Sequence, residues 1–174
     1  MKAVVIYKSR TGFTEVYAKW ISEELGADLM KAGEADAATL MNYDTIIYGG
    51  GLYASGIGGV KLITRNIQIL GNKKIVVFGV GATPPRERDI NEIVGRNFTE
   101  EDLREIRFFY MRGGFDFSRL NFPYKIMMTL FKLKLHLIKR RNPDARGMLA
   151  SYENPMDFTN KRNIAPLVEY VTGE

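Results

Sequence analysis

The sequence predicts an α/β fold: a doubly wound, five-stranded parallel sheet with helices on both faces. Two observations support this prediction. Five short apolar runs recur along the chain, and segments with helical periodicity separate them. Each run is apolar at nearly every position, which is typical of strands that are buried on both faces of a parallel sheet.

The predicted strands and helices alternate along the chain. The strands occupy residues 3–7, 27–30, 44–48, 75–78 and 106–111. The first helix is predicted over residues 13–25, with Gly26 as its C-cap. The other helices are predicted over residues 60–70, within 83–97, from Thr99 onward and after a cap at Thr159. Pro166 should kink or restart the last helix. Without repeats or a flexible linker, the pattern predicts one domain spanning residues 1–174.

The composition excludes several classes of chemistry. The chain has no cysteine, which removes disulfides, thiolate nucleophiles, iron–sulfur ligation and thiolate zinc sites. It has a single histidine, His136, so no histidine-based metal cluster is expected. The first residues run directly into a strand pattern without the layout of a signal peptide. No uncharged apolar run approaches the roughly 20 residues of a membrane span. We therefore expect a cytoplasmic protein.

A loop rich in hydroxyl groups follows the first predicted strand and leads into the first helix. Its residues are Ser9, Arg10, Thr11, Gly12, Phe13 and Thr14. Backbone N–H groups and the helix dipole favour an anion at such a helix N-terminus, and the hydroxyls can donate to phosphate oxygens. The loop is therefore a candidate phosphate site. The alternative is an ordinary turn whose serine and threonines only cap the helix.

A glycine-rich segment, residues 49–59, follows the third predicted strand. Its candidate ligand-binding residues are Gly51, Leu52, Tyr53, Ala54, Ser55 and Gly56. We expect a loop here, because so much glycine indicates backbone that bends beside a ligand. Tyr53 is the one aromatic side chain of the segment and is placed to lie on a flat ring. The alternative is a tyrosine that only packs in a turn.

A third candidate loop follows the fourth predicted strand. Small residues and a stiffening proline would leave room for a planar ring, with Gly81, Ala82 and Thr83 as the candidate contacts. Ligands of doubly wound sheets bind at the carboxyl ends of the strands, where all three loops are expected to meet.

Other sites known on doubly wound sheets do not fit this sequence. A phospho-accepting receiver domain needs an acidic pair after the first strand and an aspartate that ends the third. Tyr7-Lys8 and Tyr48-Gly49 occupy those positions. The nucleoside-triphosphate P-loop pattern is absent, and no Gly-x-Gly follows the first strand as a dinucleotide fingerprint requires.

The phosphate loop resembles that of a known family. Ser9-x-Thr11-Gly12-x-Thr14 after a first strand is similar to the FMN phosphate loop of flavodoxins. Further similarity, to the flavodoxin-domain branch grouped with menaquinone-dependent protoporphyrinogen IX dehydrogenase, covers nearly the whole chain. Its segments are Gly51-Leu52-Tyr53-Ala54, residues 112–120 and residues 157–170. The resemblance implies an FMN cofactor, a flavodoxin-like sheet in the order 2-1-3-4-5 and a helical excursion after strand five. The second loop lacks the basic and histidine residues of that dehydrogenase.

Positive charge is concentrated in one segment, residues 121–146. The segment contains one acid, Asp144, and seven basic residues: Lys125, Lys132, Lys134, Lys139, Arg140, Arg141 and Arg146. Its formal charge of +6 exceeds the +5 of the whole chain, so the rest of the sequence is close to neutral. The sequence pI of about 9.4 therefore arises from this segment.

The same segment predicts an amphipathic helix. Its polar stripe spans roughly 100° of the helical wheel and contains Lys125, Thr129, Lys132, His136, Lys139 and Arg140. The remaining arc is apolar except for Lys134 and is wider than one core contact requires. Two interpretations stay open: deep packing against the sheet, or contact with a membrane surface, a quinone or a partner. The alternation of residues 132–137 also allows a strand. His136, in the polar stripe, is expected to be neither a ligand nor a base.

The sequence leaves three functions open. The first is an FMN-dependent oxidoreductase, resembling the dehydrogenase, that passes electrons from a small organic donor such as a porphyrinogen to a quinone. Menaquinone is the candidate quinone, and the protein would work peripherally at an anionic membrane. The second is a flavodoxin-type carrier between protein partners. Carriers of this type are typically acidic, so the basic patch favours the enzyme. The third is a domain without flavin, which the intact phosphate loop disfavours. No side chain is expected to act as a general acid or base, since the flavin carries the chemistry. No nucleic-acid or metal partner is expected.

Overall fold

The computed structural model describes residues 2–120, 122–138, 149–150, 152 and 154–173. Its strands are β1 (Ala3–Lys8), β2 (Asp28–Lys31), β3 (Thr45–Tyr53), β4 (Gly56–Ile57), β5 (Lys74–Gly81), β6 (Ile106–Arg112), β7 (Gly114–Phe115) and β8 (Met156–Asp157). Its α-helices are α1 (Phe13–Leu25), α2 (Ala37–Met41), α3 (Lys61–Thr64), α4 (Ile67–Leu70), α5 (Glu87–Asn97), α6 (Asp102–Glu105), α7 (Phe122–Ile138) and α8 (Ala165–Thr172). Short 3₁₀ turns occupy Phe117–Arg119 and Lys161–Ile164.

The main sheet confirms the predicted fold class and strand order. Five parallel strands lie in the order β2-β1-β3-β5-β6, and β4 pairs antiparallel with the end of β3. Numbered by parallel strands alone, this is the order 2-1-3-4-5. The chain reverses its direction of winding between β1 and β3, so the loops after β1, β3 and β5 meet at one edge.

Alternate residues of each central strand enter different cores, as a sheet covered on both faces requires. Val4, Ile46 and Val77 pack with side chains of α2 to α5 on one face. Val5, Ile47 and Phe78 pack with α1 and α8 on the other. Burial of both faces explains why the strands read as continuous apolar runs.

Several predicted helix boundaries are confirmed. The first helix spans Phe13–Leu25, and Gly26 ends it in the left-handed conformation. Thr99 and Asp102 form a reciprocal capping box before α6, with N···O distances of 2.9 and 3.1 Å. Pro166 lies in the first turn of α8, so the last helix restarts there.

Other boundaries differ from the prediction. The helix expected over residues 60–70 is two short helices, α3 and α4, separated by a turn in which Asn66 Nδ2 donates to Leu62 O. The cap expected at Thr159 lies one residue later, where Asn160 Oδ1 accepts from Arg162 N. The helix α2 and the hairpin strand β4 were not predicted, because each is too short to show periodicity.

A second, two-stranded sheet lies beside the N-terminus of α1. Its strands β7 and β8 pair antiparallel. Gly114 leaves no room for a side chain, because an added Cβ would overlap Met156 O and lie 2.6 Å from the Phe13 ring. This contact holds the chain after β6 against the start of α1.

The helix α7 confirms the predicted amphipathic helix and excludes the alternative strand over residues 132–137. It packs through one side only: Leu135 is buried, and Met128 O accepts a hydrogen bond from the Tyr152 hydroxyl. Residues 121 and 139–146 of the predicted basic segment, including Lys139 and Arg140, lie outside the described residues. None of the described helices is both long enough and apolar enough to cross a membrane.

Candidate functional site

The first two candidate loops are in contact at the carboxyl edge of the sheet. Thr14, in the first turn of α1, faces Gly51 of β3: a Cβ added to Gly51 would lie 3.5 Å from Thr14 Oγ1 and 3.2 Å from the Tyr53 ring. Parallel pairing of β1 with β3 places their carboxyl ends side by side, which explains this approach. The structure therefore brings together residues that are about 40 positions apart in the sequence.

The turn before α1 has the geometry of an anion site. Gly12 adopts φ 95° and ψ −23°, a left-handed conformation that strongly favours glycine. Its N–H donates to Ser9 Oγ at 3.1 Å, and no side chain caps the helix. Within the described residues, the backbone N–H groups of Phe13 and Thr14 have no acceptor. A phosphate would satisfy such orphan donors at a helix N-terminus.

Thr14 is 3% exposed, and its hydroxyl bonds to nothing in the part of the chain that the structure describes. No fully buried side-chain oxygen among the described residues lacks a partner, so this hydroxyl oxygen reaches the surface of the loop, where it can donate to a ligand oxygen. The residues present therefore fit the phosphate of FMN. Contact of Ser9, Arg10, Thr11, Gly12, Phe13 and Thr14 with that phosphate stays a prediction.

The glycine-rich segment is a β-hairpin and not the predicted loop. Strand β3 continues through the glycines to Tyr53, and β4 pairs back onto it. Gly49 and Gly50 are required by packing within the sheet. A Cβ on Gly49 would overlap the Phe78 ring, and one on Gly50 would lie 2.6 Å from Ile57 Cγ2. Gly51 is the member of the triplet that borders the phosphate loop.

The tip of this hairpin is strained and is held by α5. Ala54 and Ser55 have φ values of 45° and 63°, which cost energy for residues with a Cβ. Asn97 of α5 donates to Ser55 O at 2.7 Å and accepts from Ile57 N at 2.8 Å. Glu92 accepts from the Ser55 hydroxyl at 2.6 Å. These bonds hold the turn at Ala54 and Ser55 in place. The sequence predicts these two residues as candidate ligand contacts but does not predict the bonds.

Arg10 connects the phosphate loop, the hairpin and α7. Its guanidinium carbon lies 3.7 Å from the ring centroid of Tyr124 and 4.6 Å from that of Tyr53. The two rings are 5.6 Å apart. Burial raises the pKa of Tyr53, although Arg10 opposes that shift, so the phenol stays neutral near pH 7. The basic helix therefore begins in contact with the candidate site.

The third candidate loop is fastened to the end of β6. The Tyr110 hydroxyl donates to Thr83 O at 2.5 Å, and Gly113 N donates to Gly81 O at 2.8 Å. Arg112 Nε donates to Ala82 O at 3.4 Å. Burial raises the pKa of Tyr110, which keeps this hydroxyl a donor. The loop is therefore preorganised, while its contact with the flavin ring stays a prediction.

The sequence does not predict a set of contacts, here called the brace, in which Arg119 joins the phosphate loop to Asp116. Arg119 Nη1 donates to Thr11 O at 3.3 Å, and its Nε lies 3.0 Å from Asp116 Oδ2. Asp116 also accepts from the hydroxyl and the backbone N–H of Ser118, and these bonds lower its pKa. These residues belong to segment 112–120, and its resemblance to the flavodoxin-domain branch is the one signal in the sequence that points to them. The described residues contain no cluster of histidine, aspartate or glutamate that could hold a metal.

Comparisons with known proteins give one family match. The model of a flavodoxin domain family matches residues 4–136 of the chain. No curated protein matches significantly. Similar solved structures include a putative flavoprotein from Bacteroides eggerthii, with a TM-score of 0.46, 15% identity and coverage of 63% of this chain and 85% of that one. Flavodoxin 1 from Bacillus cereus has a TM-score of 0.45 and 19% identity, and the match covers 64% of this chain and 84% of that one. A flavodoxin from the domain Archaea has a TM-score of 0.43 and 16% identity, and the match covers 60% of this chain and 90% of that one.

The family match covers most of the chain and contains all of β1 except Ala3, the phosphate-loop turn, the hairpin and the third loop. The chain belongs to the flavodoxin domain family and is a redox protein that binds FMN.

Proposed function

We propose that the protein is an FMN-dependent oxidoreductase that passes electrons from a small organic donor to a quinone at an anionic membrane surface. The resemblance to the menaquinone-dependent protoporphyrinogen dehydrogenase branch makes menaquinone the candidate acceptor and a porphyrinogen the candidate donor. One observation carries the proposal: an exposed apolar stripe on α7, flanked by basic residues, begins at the candidate cofactor site. The alternative is a carrier that exchanges electrons with protein partners.

FMN supplies the electron-transfer chemistry when it is bound. The chain supplies its position: the hydroxyls and N–H groups at the start of α1 bind the phosphate, and the hairpin and the third loop flank the ring. Tyr53 lies in the hairpin and Tyr110 bonds to the third loop, and burial raises the pKa of both. Neither is therefore proposed as a base.

The apolar stripe of α7 is exposed over the whole described helix. It consists of Phe122, Ile126, Met127, Leu130, Leu133 and Leu137, with exposures from 45% to 85%. These are six of the eleven large apolar side chains that are exposed in the described residues. Without Met127, the stripe spans about 80° of the helical wheel. Such a concentration of exposed apolar area is characteristic of a surface that binds a partner or a membrane.

The charges on α7 select a membrane as the occupant of this stripe. The helix contains Lys125, Lys132 and Lys134 and no acidic residue. Lys134 lies about 40° beyond one edge of the stripe without Met127, and Lys125 and Lys132 lie about 60° and 80° beyond the other. Apolar side chains between flanking cations are typical of helices that lie in the interface of an anionic bilayer. The long lysine side chains can extend to the headgroups while the apolar stripe enters the acyl region.

The position of α7 relates this surface to the redox site. Tyr124, in the first turn of the helix, packs on Arg10 and Tyr53. Docking of α7 on a bilayer would bring the flavin site to the surface where a lipid-soluble quinone is available. A carrier that docks on basic partners has no use for a basic apolar helix at that position.

A vesicle experiment tests the proposal. We expect the protein to sediment with phosphatidylglycerol-containing vesicles, to bind neutral phosphatidylcholine vesicles weakly, and to be released as salt rises. Replacing Leu130 and Leu133 with serine should weaken vesicle binding by roughly tenfold or more, since each buried leucine contributes about 1.5–3 kcal/mol. Ile69→Ser is the matched control, because Ile69 is 53% exposed on α4, outside the stripe.

The acceptor is tested with the same vesicles. Protein reduced anaerobically should transfer electrons to a menaquinone analogue in anionic vesicles, and the double serine variant should do so more slowly with unchanged FMN content. The carrier alternative predicts the opposite result: no binding to either kind of vesicle, no reduction of the quinone, and rapid reduction of a protein acceptor.

The brace at Arg119 gives a further prediction about cofactor binding. Arg119→Ala removes the bond to Thr11 O and one positive charge near the phosphate loop. We expect FMN to bind about three- to tenfold more weakly, in line with the loss of a partly exposed charged contact. Binding is measured by quenching of flavin fluorescence during titration of the apoprotein. Arg88→Ala serves as the control, since Arg88 is an exposed arginine that pairs with Asp89. An equal effect of both substitutions would contradict a specific role of Arg119.

A further inference from the structure

A cleft of about 670 Å³ lies at the carboxyl end of β6, behind the third candidate loop. Tyr110 and Arg112 of β6 line one wall, and Phe158, Asn160, Arg162 and Asn163 line the other. None of these residues was predicted as a cofactor contact. No aspartate or glutamate lines the cleft, although two arginines do. None of its lining residues belongs to the phosphate loop, the hairpin or α7.

Arg112 is held in place before any ligand binds. Its guanidinium carbon lies 3.7 Å from the centroid of the Phe158 ring, and its Nε donates to Ala82 O at 3.4 Å. Across the described part of the chain, no carboxylate lies within ion-pair distance of this guanidinium. Its terminal Nη groups keep donors that no described residue uses. A stacked, unpaired guanidinium suits a carboxylate, which it can bind through two parallel hydrogen bonds.

Arg162 also lines the cleft and supplies a second positive charge. Its backbone N–H donates to Asn160 Oδ1 at 3.0 Å, which orients the residue in the first turn of the 3₁₀ segment. Its side chain is exposed, and no carboxylate of the described residues pairs with it. Two arginines that have no ion-pair partner among the described residues favour an anionic ligand in the cleft.

The buried Tyr17 hydroxyl fixes the two walls relative to each other. It donates to Arg112 O at 2.6 Å. It accepts from Asn160 N at 3.2 Å and from Asn163 Nδ2 at 2.8 Å. Tyr17 is fully buried in α1, so the spacing of the arginine backbones is set by the core and not by surface loops.

We propose that this cleft binds an organic anion with an apolar body and at least one carboxylate. The carboxylate pairs with Arg112 and Arg162, and the apolar body packs on the aromatic and proline side chains of the walls. Identification of this anion as the electron donor rests on the proposed function, whereas binding of the anion does not. Because Arg112 contacts Ala82, the bound anion lies directly behind the loop predicted to flank the flavin.

Binding is measured without turnover, on the oxidised FMN-loaded protein. The probe is 2,6-naphthalenedicarboxylate, followed by its own fluorescence, and its dimethyl ester is the uncharged comparison. We expect the dicarboxylate to bind in the micromolar to millimolar range and the ester at least tenfold more weakly. Arg112→Gln should weaken dicarboxylate binding at least tenfold, and Arg162→Gln severalfold.

Arg107→Gln is the matched control, because Arg107 is an arginine beside aromatic rings on the same strand but outside the cleft. It should leave the affinity unchanged. Arg162→Gln keeps the test decisive if Arg112→Gln disturbs folding, since the Arg162 side chain is exposed. Absence of dicarboxylate binding, equal binding of the ester, or an equal loss in Arg107→Gln would overturn the proposal. A failure to reduce quinone, with binding intact, would count against the proposed function alone.

Discussion

Replacing both Thr11 and Thr14 with valine is expected to weaken FMN binding by about a hundredfold or more, and riboflavin binding only slightly. Each hydroxyl can donate to a charged phosphate oxygen, and each such bond contributes about 1.5–3 kcal/mol. A loss of 1.4 kcal/mol corresponds to a factor of ten in affinity. Riboflavin has no phosphate, so it loses none of these bonds.

Valine is the appropriate replacement because it keeps nearly the volume of threonine and removes only the hydroxyl. This matters most at Thr14, which is buried and whose hydroxyl has no partner among the described residues. Apoprotein of the double variant should therefore unfold at a temperature close to that of the parent. Thr172→Val is the control, since the Thr172 hydroxyl bonds only to the backbone of its own helix. Equal weakening of FMN and riboflavin would place the phosphate elsewhere.

The sequence predicted the sheet well because each central strand is buried on both faces. Ile46 and Ile47 enter opposite cores, so the strand that contains them is apolar without alternation. The turn at Ser9–Thr14 was also predictable, because one glycine in an otherwise hydroxyl-rich turn identifies a helix N-terminus that can bind an anion. Both features depend on residues that are close together in the sequence.

The glycine triplet was misinterpreted because its cause is distant in the sequence. Local reasoning attributes three glycines to a bending loop. In the structure Gly49 and Gly50 lie inside β3, where Phe78 and Ile57 occupy the space of their missing side chains. The need for glycine comes from neighbours in space, and a single sequence does not show which neighbours those are. The Asn97 bonds that hold the hairpin tip were missed for the same reason.

For helix α7, periodicity predicts the helix but not which of its sides is buried. The wheel predicted an apolar arc wider than one core contact requires, and it left open which part of that arc is buried. The structure buries Leu135 and leaves Leu130 and Leu133 exposed. The contacts of Tyr124 and Tyr152 with the rest of the fold show which side of the helix is covered.

Gly49→Ala is expected to lower the free energy of unfolding of the apoprotein by an amount at the upper end of roughly 1–3 kcal/mol. The added methyl would overlap the Phe78 ring, and Phe78 is fully buried. Close-packed cores give little room for such a ring to move. The corresponding decrease in Tm is about 2–4 °C per kcal/mol for a chain of this size. Urea unfolding followed by circular dichroism measures the change.

The matched control is Gly95→Ala, because an added Cβ at Gly95 meets nothing within 4 Å. Gly95 lies inside α5, so alanine should stabilise the protein by about 0.5–1 kcal/mol through its higher helix propensity. The overlap itself is tested by combining Gly49→Ala with Phe78→Leu. If the clash with the ring causes the loss, the double variant should be more stable than the two single losses predict, because the smaller side chain leaves room for the methyl. Strict additivity, or a Gly49→Ala variant as stable as the parent, would show that β3 tolerates a side chain there. The interpretation of Gly49 as a packing residue would then be wrong.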